Sequence, residues 1–529
     1  MSAAVGHDVM ALVRAYGVDT VFGIPGTHNL ELYRPLAPLG FRAVTTRHEQ
    51  GAGYAADGWA QQTGQPGVVI TTSGPGLLNA LSAAGTAYAE SRPLLILSPG
   101  APRGREGADR GALHETKDPT GASGAVVAWS RRVGSGTEAV QAVHDAFDLF
   151  RNERPRPVHI EIPLDVLEGP SDCPAELLVP RPAREPRPAE PDQVTAAAVA
   201  LAGAAAPVIV VGGGAVPTAA DVVRLAEAVD APVLTSLNGK GVLPETHPLA
   251  LGAELRLAGA RKLVAEADVL LVVGSKVGEA ETWFEPLTPA GTVIRVDLEE
   301  RQLRANLRCD IGLLGDARAV VPQLLAALED RPRAARPAGA EVVADLLPLL
   351  RAEATALSPE LMAVADAVAA GLPAHAIVAG DSSQITYLAA TSAVQVDRPG
   401  GFLYMATYAT LGYGLPAAIG ARVGAPDRPV VCLVGDGALM FSVQELVTAV
   451  EQRLDLVVVC VDNGGYGEIR QNELDRGIAP IGVELTQPDW PALATAFGAH
   501  GSRSEVAGLG SAVAAAIAAG GVHLIHVPL

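Results

Sequence analysis

The stretch Val430-Val431-Cys432-Leu433-Val434-Gly435-Asp436-Gly437-Ala438 runs an apolar, β-branched segment straight into a glycine-rich turn. A run with no polar alternation reads as a strand buried on both faces, the mark of a parallel sheet. The amphipathic segment Gln444 to Val450 follows as a helix. Glycines in such a turn let backbone N–H groups approach an anion, and a helix N-terminus adds partial positive charge, so the turn is a candidate diphosphate seat. By itself Gly-Asp-Gly is equally a structural tight turn. A second apolar run, Leu456 to Val461, ends in Asp462-Asn463-Gly464-Gly465-Tyr466-Gly467, which puts Asn463 27 positions after Asp436 at the end of another strand. Magnesium takes near-octahedral oxygen ligation and keeps phosphate and water in its shell. Asp436, Asn463 and the Gly465 carbonyl are therefore the candidate metal ligands.

Outward from that site, Val68 to Thr71, Val208 to Val211 and Val269 to Val273 are further β-branched runs set between Ala/Leu-rich helical patterns. The alternation predicts doubly wound parallel sheets with helices on both faces. Two Pro/Arg-rich stretches, Pro170 to Pro191 and Asp330 to Gly339, cannot build a core and read as linkers. Three α/β domains are expected: residues 1–169, 192–329 and 345–529. Against 39 Lys and Arg stand 58 Asp and Glu, a net charge of −19 over 529 residues, which disfavours nucleic acid or an anionic membrane as partner. The four cysteines, Cys173, Cys309, Cys432 and Cys460, lack metal or disulfide spacing and suit a reducing cytoplasm. No secretory signal or membrane span is read; Thr195 to Gly214 is a helix followed by a buried strand.

The first segment offers three loops at strand ends: Gly23-Ile24-Pro25-Gly26-Thr27-His28, Arg47-His48-Glu49-Gln50-Gly51-Ala52 and Ser73-Gly74-Pro75-Gly76. In open sheets ligands bind beyond the carboxyl ends of the strands. Glu49 can be a functional carboxylate or one that satisfies a helix dipole.

Gly-Asp-Gly followed by Asn463 resembles the thiamine-diphosphate signature shared by acetolactate synthases, benzoylformate decarboxylase and pyruvate decarboxylase, and the resemblance spans essentially the whole chain. It implies a pyrimidine-binding first domain, a central domain and a diphosphate-binding last domain, with Mg2+ beside the diphosphate. Glu49 would bond the aminopyrimidine ring nitrogen and promote the tautomer that deprotonates the thiazolium. Pro25, Gly74 and Asn79 would line the pyrimidine half. Ser383, Gln384, Gly435, Gly437, Ala438, Tyr466 and Gly467 would line the diphosphate half, and Leu411 would hold the cofactor bent. The two halves would come from different subunits, giving at minimum a homodimer, with a homotetramer expected. The reaction implied is decarboxylation of a 2-oxo acid through an enamine, released as an aldehyde or captured by a second carbonyl compound.

Candidates for touching substrate are Thr27, His28, His114 and Glu468. Histidine changes charge near neutral pH, so His28 and His114 could shuttle protons; each could also be an ordinary hydrogen-bonded histidine. His114 stands where acetolactate synthases usually carry glutamine, and the adjacent histidine pair of pyruvate decarboxylases is absent. Glu468 stands where acetolactate synthases have an apolar residue; it could pair with a cationic substrate tail, or be a solvated helix-end glutamate. The runs GIPGTHNLELYR, RHEQGAGYAADGWA, LHETKD and ATYATLGYGLPAAIGA look most like 2-ketoarginine decarboxylases. An acetolactate synthase or a benzaldehyde-lyase-like carboligase is the alternative, the latter because it too has a histidine after that glycine turn. A noncatalytic cofactor-binding paralogue fits poorly with Glu49, Asp436 and Asn463 all present. Leu251 to Ala260 and Gly274 to Glu281 lack the flavin-binding runs of acetolactate synthases, so no FAD is expected, and the central glycines Gly212 to Gly214 are expected to serve strand–helix packing.

Overall fold

The computed structural model describes residues 4–529. Three six-stranded sheets follow one another along the chain, and every strand pairing within them is parallel. The first holds β1 (Thr20–Gly23), β2 (Arg42–Thr45), β3 (Gly67–Ile70), β4 (Leu94–Gly100), β5 (Trp129–Arg132) and β6 (Val158–Pro163), in the order β2-β1-β3-β4-β6-β5. The central sheet holds β7 (Pro207–Val211), β8 (Val233–Thr235), β9 (Ala250–Gly252), β10 (Val269–Val273), β11 (Thr292–Asp297) and β12 (Ile311–Leu314), ordered β12-β11-β10-β7-β8-β9. The last holds β13 (Ile377–Gly380), β14 (Phe402–Leu403), β15 (Val430–Gly435), β16 (Leu456–Asp462), β17 (His500–Arg503) and β18 (Val522–Pro528), ordered β14-β13-β15-β16-β18-β17. Helices of low polarity cross between the strands, as parallel pairing requires. The fold class is the one expected.

The first and last sheets share one strand order. In both, the chain leaves the first strand to one side and returns on the other, so the crevice between first and third strands is a topological switch point, the usual ligand site of such sheets. The two sheets are locked by the helices Glu49–Thr63 and Gly414–Gly424, which cross at glycines. A Cβ on Gly58 would fall inside the Ala417 carbonyl oxygen, and one on Gly420 inside that of Ala55. Neither neighbour is a flexible side-chain end, so the helices must part to admit a methyl group. Gly420→Ala is expected to destabilise the protein by about 1 to 3 kcal/mol, read as a lower denaturant midpoint at unchanged slope. A midpoint equal to wild type would show that this crossing does not need the close approach.

One hydrophobic core runs from the first sheet to the last and a second belongs to the central sheet. Glu90, buried at the end of the helix Pro75–Glu90, accepts hydrogen bonds from Asn238 Nδ2 at 2.6 Å and the Thr407 amide at 2.8 Å, tying all three parts together. The glycines after β7 do not pack strand against helix as expected. Gly212 and Gly214 lie against the Gly274 turn after β10, backbone on backbone, because both turns leave the sheet on the same side. No helix among the described residues is long and apolar enough to cross a membrane, and all four cysteines are free thiols.

Candidate active site

In the last sheet the switch point lies between β13 and β15. Asp381, at the end of β13, is fully buried, and its carboxylate accepts from the amides of Ser382 (2.8 Å), Gly412 (3.1 Å) and Gly414 (2.7 Å). Burial raises its pKa to about 6. This clamp fixes Leu411 beside the Ser382–Gln384 turn. Ser383 Oγ accepts from the Gly435 amide at 3.1 Å, which joins the two turns of the crevice. Gly437 lies under the Tyr466 ring, where any Cβ would crowd it, and Ala438 is buried behind. Asp436 opens a short helix, Asp436–Leu439, ahead of the expected one, which occupies Glu445–Glu451.

Asp436 is buried, its Oδ2 has no hydrogen-bond partner, and burial together with the charge of Asp462 pushes its pKa up to about 6. The Asn463 side-chain oxygen turns inward, 3.3 Å from Asp436 Oδ1 and 3.0 Å from the Gly465 carbonyl oxygen. With the amide rotated, Asn463 Nδ2 donates to both, in an ordinary hydrogen bond to Gly465 and a longer one to Asp436. Three converging oxygens and an orphaned carboxylate oxygen are also what a hard cation satisfies, so the residues present fit Mg2+.

Gly467 opens the helix Gly467–Asp475, and Glu468 stands in its first turn at the rim. Gln384 Nε2 and Tyr387 OH each donate to Glu468 Oε2 at 3.1 Å, and Asn463 Nδ2 lies 3.3 Å from Gln384 Oε1. A continuous chain of contacts thus links the oxygen cluster to Glu468, which is both exposed and held.

In the first sheet the crevice lies between β1 and β3. His28 follows β1, Ser73 follows β3 and His114 follows β4. His28 Nδ1 is 2.6 Å from Ser73 Oγ, which is 3.3 Å from His114 Nδ1, and the two rings meet edge to face at 5.2 Å. Burial, and then the neighbouring His114, lower the His28 pKa against an opposing pull from Glu168. Asn29 fixes the loop by accepting from the Gly26 amide at 2.8 Å and donating to the Ile24 carbonyl at 3.0 Å; Pro25 and Thr27 are exposed on it. Glu49 is 7% exposed, so the helix it opens does not hold it out in water; Asn79 Nδ2 donates to its Oε2 at 3.0 Å, and Gly76 leaves room for its Oε1. Among the described residues no hydrogen bond joins this cluster to the one around Asp436. One link between the two ends of the chain runs behind them, where buried Glu445 accepts from the Arg47 amide at 3.0 and 3.1 Å.

With this geometry in place, likeness to other proteins decides the family. Residues 3–122, 194–324 and 381–527 match the N-terminal TPP binding, central and C-terminal TPP binding domains of thiamine pyrophosphate enzymes. The chain is 42% identical over 497 residues to a probable 2-ketoarginine decarboxylase of Pseudomonas aeruginosa, covering 93% of this chain and 88% of that protein. The chain belongs to the thiamine pyrophosphate enzymes. This thiamine pyrophosphate enzyme is also 33% identical over 516 residues to a probable acetolactate synthase large subunit of Methanocaldococcus jannaschii, covering 94% and 86% of the two chains. Over 472 residues it is 33% identical to the acetolactate synthase isozyme 1 large subunit of Escherichia coli, covering 88% and 82%.

Sequence reasoning placed Ser73 in a candidate loop without giving it a role, and gave none to Asp381, Tyr387 and Glu445. Asp381 and Ser73 carried a usable signal, since each stands at or next to the end of a strand bordering a switch point. Tyr387 and Glu445 carried none, because their partners are 81 and 398 positions away.

Proposed function

We propose that this enzyme decarboxylates a 2-oxo acid with a cationic tail, of the 2-ketoarginine type, using thiamine diphosphate and Mg2+, in the cytoplasm. The observation that carries the reading is the state of Glu468. Gln384 and Tyr387 hold one carboxylate oxygen, while the other has only Asn472 Nδ2 at 3.4 Å. A guanidinium presents a planar fork of donors to such a free, oriented oxygen.

When bound, the cofactor supplies a carbon nucleophile for the 2-oxo group and takes up the electron pair freed as carbon dioxide leaves. The chain's own residues divide the remaining work. Asp436, Asn463 and the Gly465 carbonyl would hold Mg2+. Ser383, Gln384 and the Gly435–Ala438 turn, with Tyr466 and Gly467, would hold the diphosphate, and Leu411 would support the bent cofactor. Glu49, braced by Asn79, would bond the aminopyrimidine, with Pro25 and Gly74 beside it. Thr27, His28 and His114 would face the substrate. A flavin has no part in this reading.

The two halves would close over the cofactor from different copies, at minimum a homodimer and in full a homotetramer. Large apolar residues left open beside each half support this: Leu30 and Leu78 near the first, Met440 and Phe441 near the second.

Purified protein with thiamine diphosphate and Mg2+, given 2-ketoarginine, pyruvate or benzoylformate, should release carbon dioxide and 4-guanidinobutanal from the first in preference. Acetolactate from pyruvate would make it a synthase instead, and ligation of an aldehyde a benzaldehyde-lyase-like carboligase. Glu468→Gln should raise KM for 2-ketoarginine about 10- to 150-fold, the equivalent of about 1.5 to 3 kcal/mol for a charge-assisted hydrogen bond. Activity on uncharged 2-oxohexanoate should be spared. Equal losses on both acids would remove Glu468 from substrate recognition.

A further inference from the structure

Ser73 is nearly buried, 7% exposed, at the switch point of the first sheet, and its hydroxyl lies between two imidazole nitrogens of the same kind. A hydroxyl has one proton to give. If His28 Nδ1–H donates to Ser73 Oγ, then the Ser73 proton can point only at an unprotonated His114 Nδ1, and His114 carries its own proton on Nε2. The reverse arrangement is the only other one that satisfies both contacts. The two neutral rings therefore hold opposite tautomers, and changing one changes the other.

The backbone spends conformational energy on this arrangement. His114 has φ +60°, a left-handed conformation costing a non-glycine residue about 1 to 2 kcal/mol. Gly74 has φ +59°, and a Cβ there would strike the His114 carbonyl oxygen. Strain of this kind gathers where function needs a fixed geometry. His114 reaches the crevice from the largely exposed segment 101–118, whereas His28 stands on the loop directly after β1.

We propose that Ser73 joins His28 and His114 into one proton relay that serves the substrate carbon. A proton taken up at Nε2 of His114 displaces its Nδ1 proton to Ser73 Oγ. The Ser73 proton moves to Nδ1 of His28, and the Nε2 proton of His28 is delivered. One proton enters, one leaves, and each ring finishes neutral in the opposite tautomer; reversal through solvent exchange resets the pair. This role rests on the decarboxylase reading, in which each turnover consumes one proton: the bond to the carboxyl carbon breaks, carbon dioxide leaves, and the carbonyl carbon ends with a proton in its place, as the aldehyde. Ser73 touches neither substrate nor cofactor in this scheme and is a positioning residue.

The test uses the holoenzyme labelled with 15N-histidine, as wild type, Ser73→Ala and Ser73→Thr. In wild type, nitrogen shifts should show His28 and His114 in opposite tautomers near neutral pH. The alanine variant should lose that complementarity and the threonine variant, which keeps the hydroxyl, should restore it. With 2-ketoarginine, Ser73→Ala should slow aldehyde release about 100-fold while single-turnover carbon dioxide release stays near wild type, and threonine should recover the aldehyde rate. Like tautomers in wild type overturn the relay, even if Ser73→Ala does not fold. So do tautomers unchanged by alanine, or carbon dioxide and aldehyde rates falling in step. If no 2-oxo acid is turned over by wild type, the decarboxylase reading fails by itself, and the tautomer measurement still decides whether the three residues act as one unit.

Discussion

Glu49→Gln protein is expected to fold, to bind thiamine diphosphate and to turn over about a thousandfold more slowly than wild type. The substitution keeps the size and planarity of the side chain while removing its charge and turning one acceptor oxygen into an NH2 donor. The site is built around that shape, with Asn79 Nδ2 on one oxygen at 3.0 Å and Gly76 leaving space at the other. An amide can still pair with Asn79 after rotating, so packing gives no reason for unfolding. A neutral amide cannot stabilise a proton on a ring nitrogen, however, and general acid–base assistance of this kind is worth about 100- to 10,000-fold. The competing role is a first-turn carboxylate on the dipole of the helix Glu49–Thr63. Its loss would cost about 0.3 to 1 kcal/mol of stability and no catalysis. Melting temperature and kcat on one preparation separate the two. Unchanged kcat with a lowered melting temperature would leave Glu49 a helix residue only.

What could be read from the chain depended on how far apart the interacting residues stand. The apolar runs at Val269 to Val273 and Val430 to Val434 appear as β10 and as β15, which is one residue longer. A continuous β-branched segment has few alternatives to a buried parallel strand. Asn463 could be placed beside Asp436 from the sequence because β15 and β16 are neighbours, so 27 residues are what one return crossover occupies. A place for Glu49 in the first turn of a helix was one of the two sequence readings; that the carboxylate is buried there came from the fold. The contacts that organise the crevices were not legible. Ser73 meets His28 across 45 positions and His114 across 41, and Asp381 meets the Gly412 and Gly414 amides 31 and 33 positions on. No local period encodes these pairs; they exist because parallel topology brings successive strand ends to one edge. The glycines of the central sheet show the opposite failure. Their pattern was visible, yet it does not say whether a glycine yields space to a helix, a ligand or, as here, another turn.

Asp436→Ala is expected to abolish the thermal stabilisation that thiamine diphosphate and Mg2+ give the protein, while leaving the cofactor-free protein at least as stable as wild type. The second half of this expectation follows from the state of the carboxylate. It is buried, one oxygen has no partner, and the other meets the Asn463 amide only at 3.4 Å. A buried polar atom without a partner costs free energy, so its removal does not weaken the empty protein. With cation and diphosphate present, the balance reverses. Breaking a buried charge pair by deleting one partner costs about 3 to 5 kcal/mol, or roughly 150- to 5,000-fold in affinity. A ligand at about 100 times its dissociation constant stabilises a protein by about 2.7 kcal/mol. At the same ligand concentration, a loss of several hundredfold leaves almost none of that gain. Thermal unfolding of both proteins, with and without cofactor, reads the two effects separately. If Asp436 only shapes a tight turn, alanine lowers the melting temperature of the empty protein and the shift on adding cofactor survives. That result would remove Asp436 from the metal site.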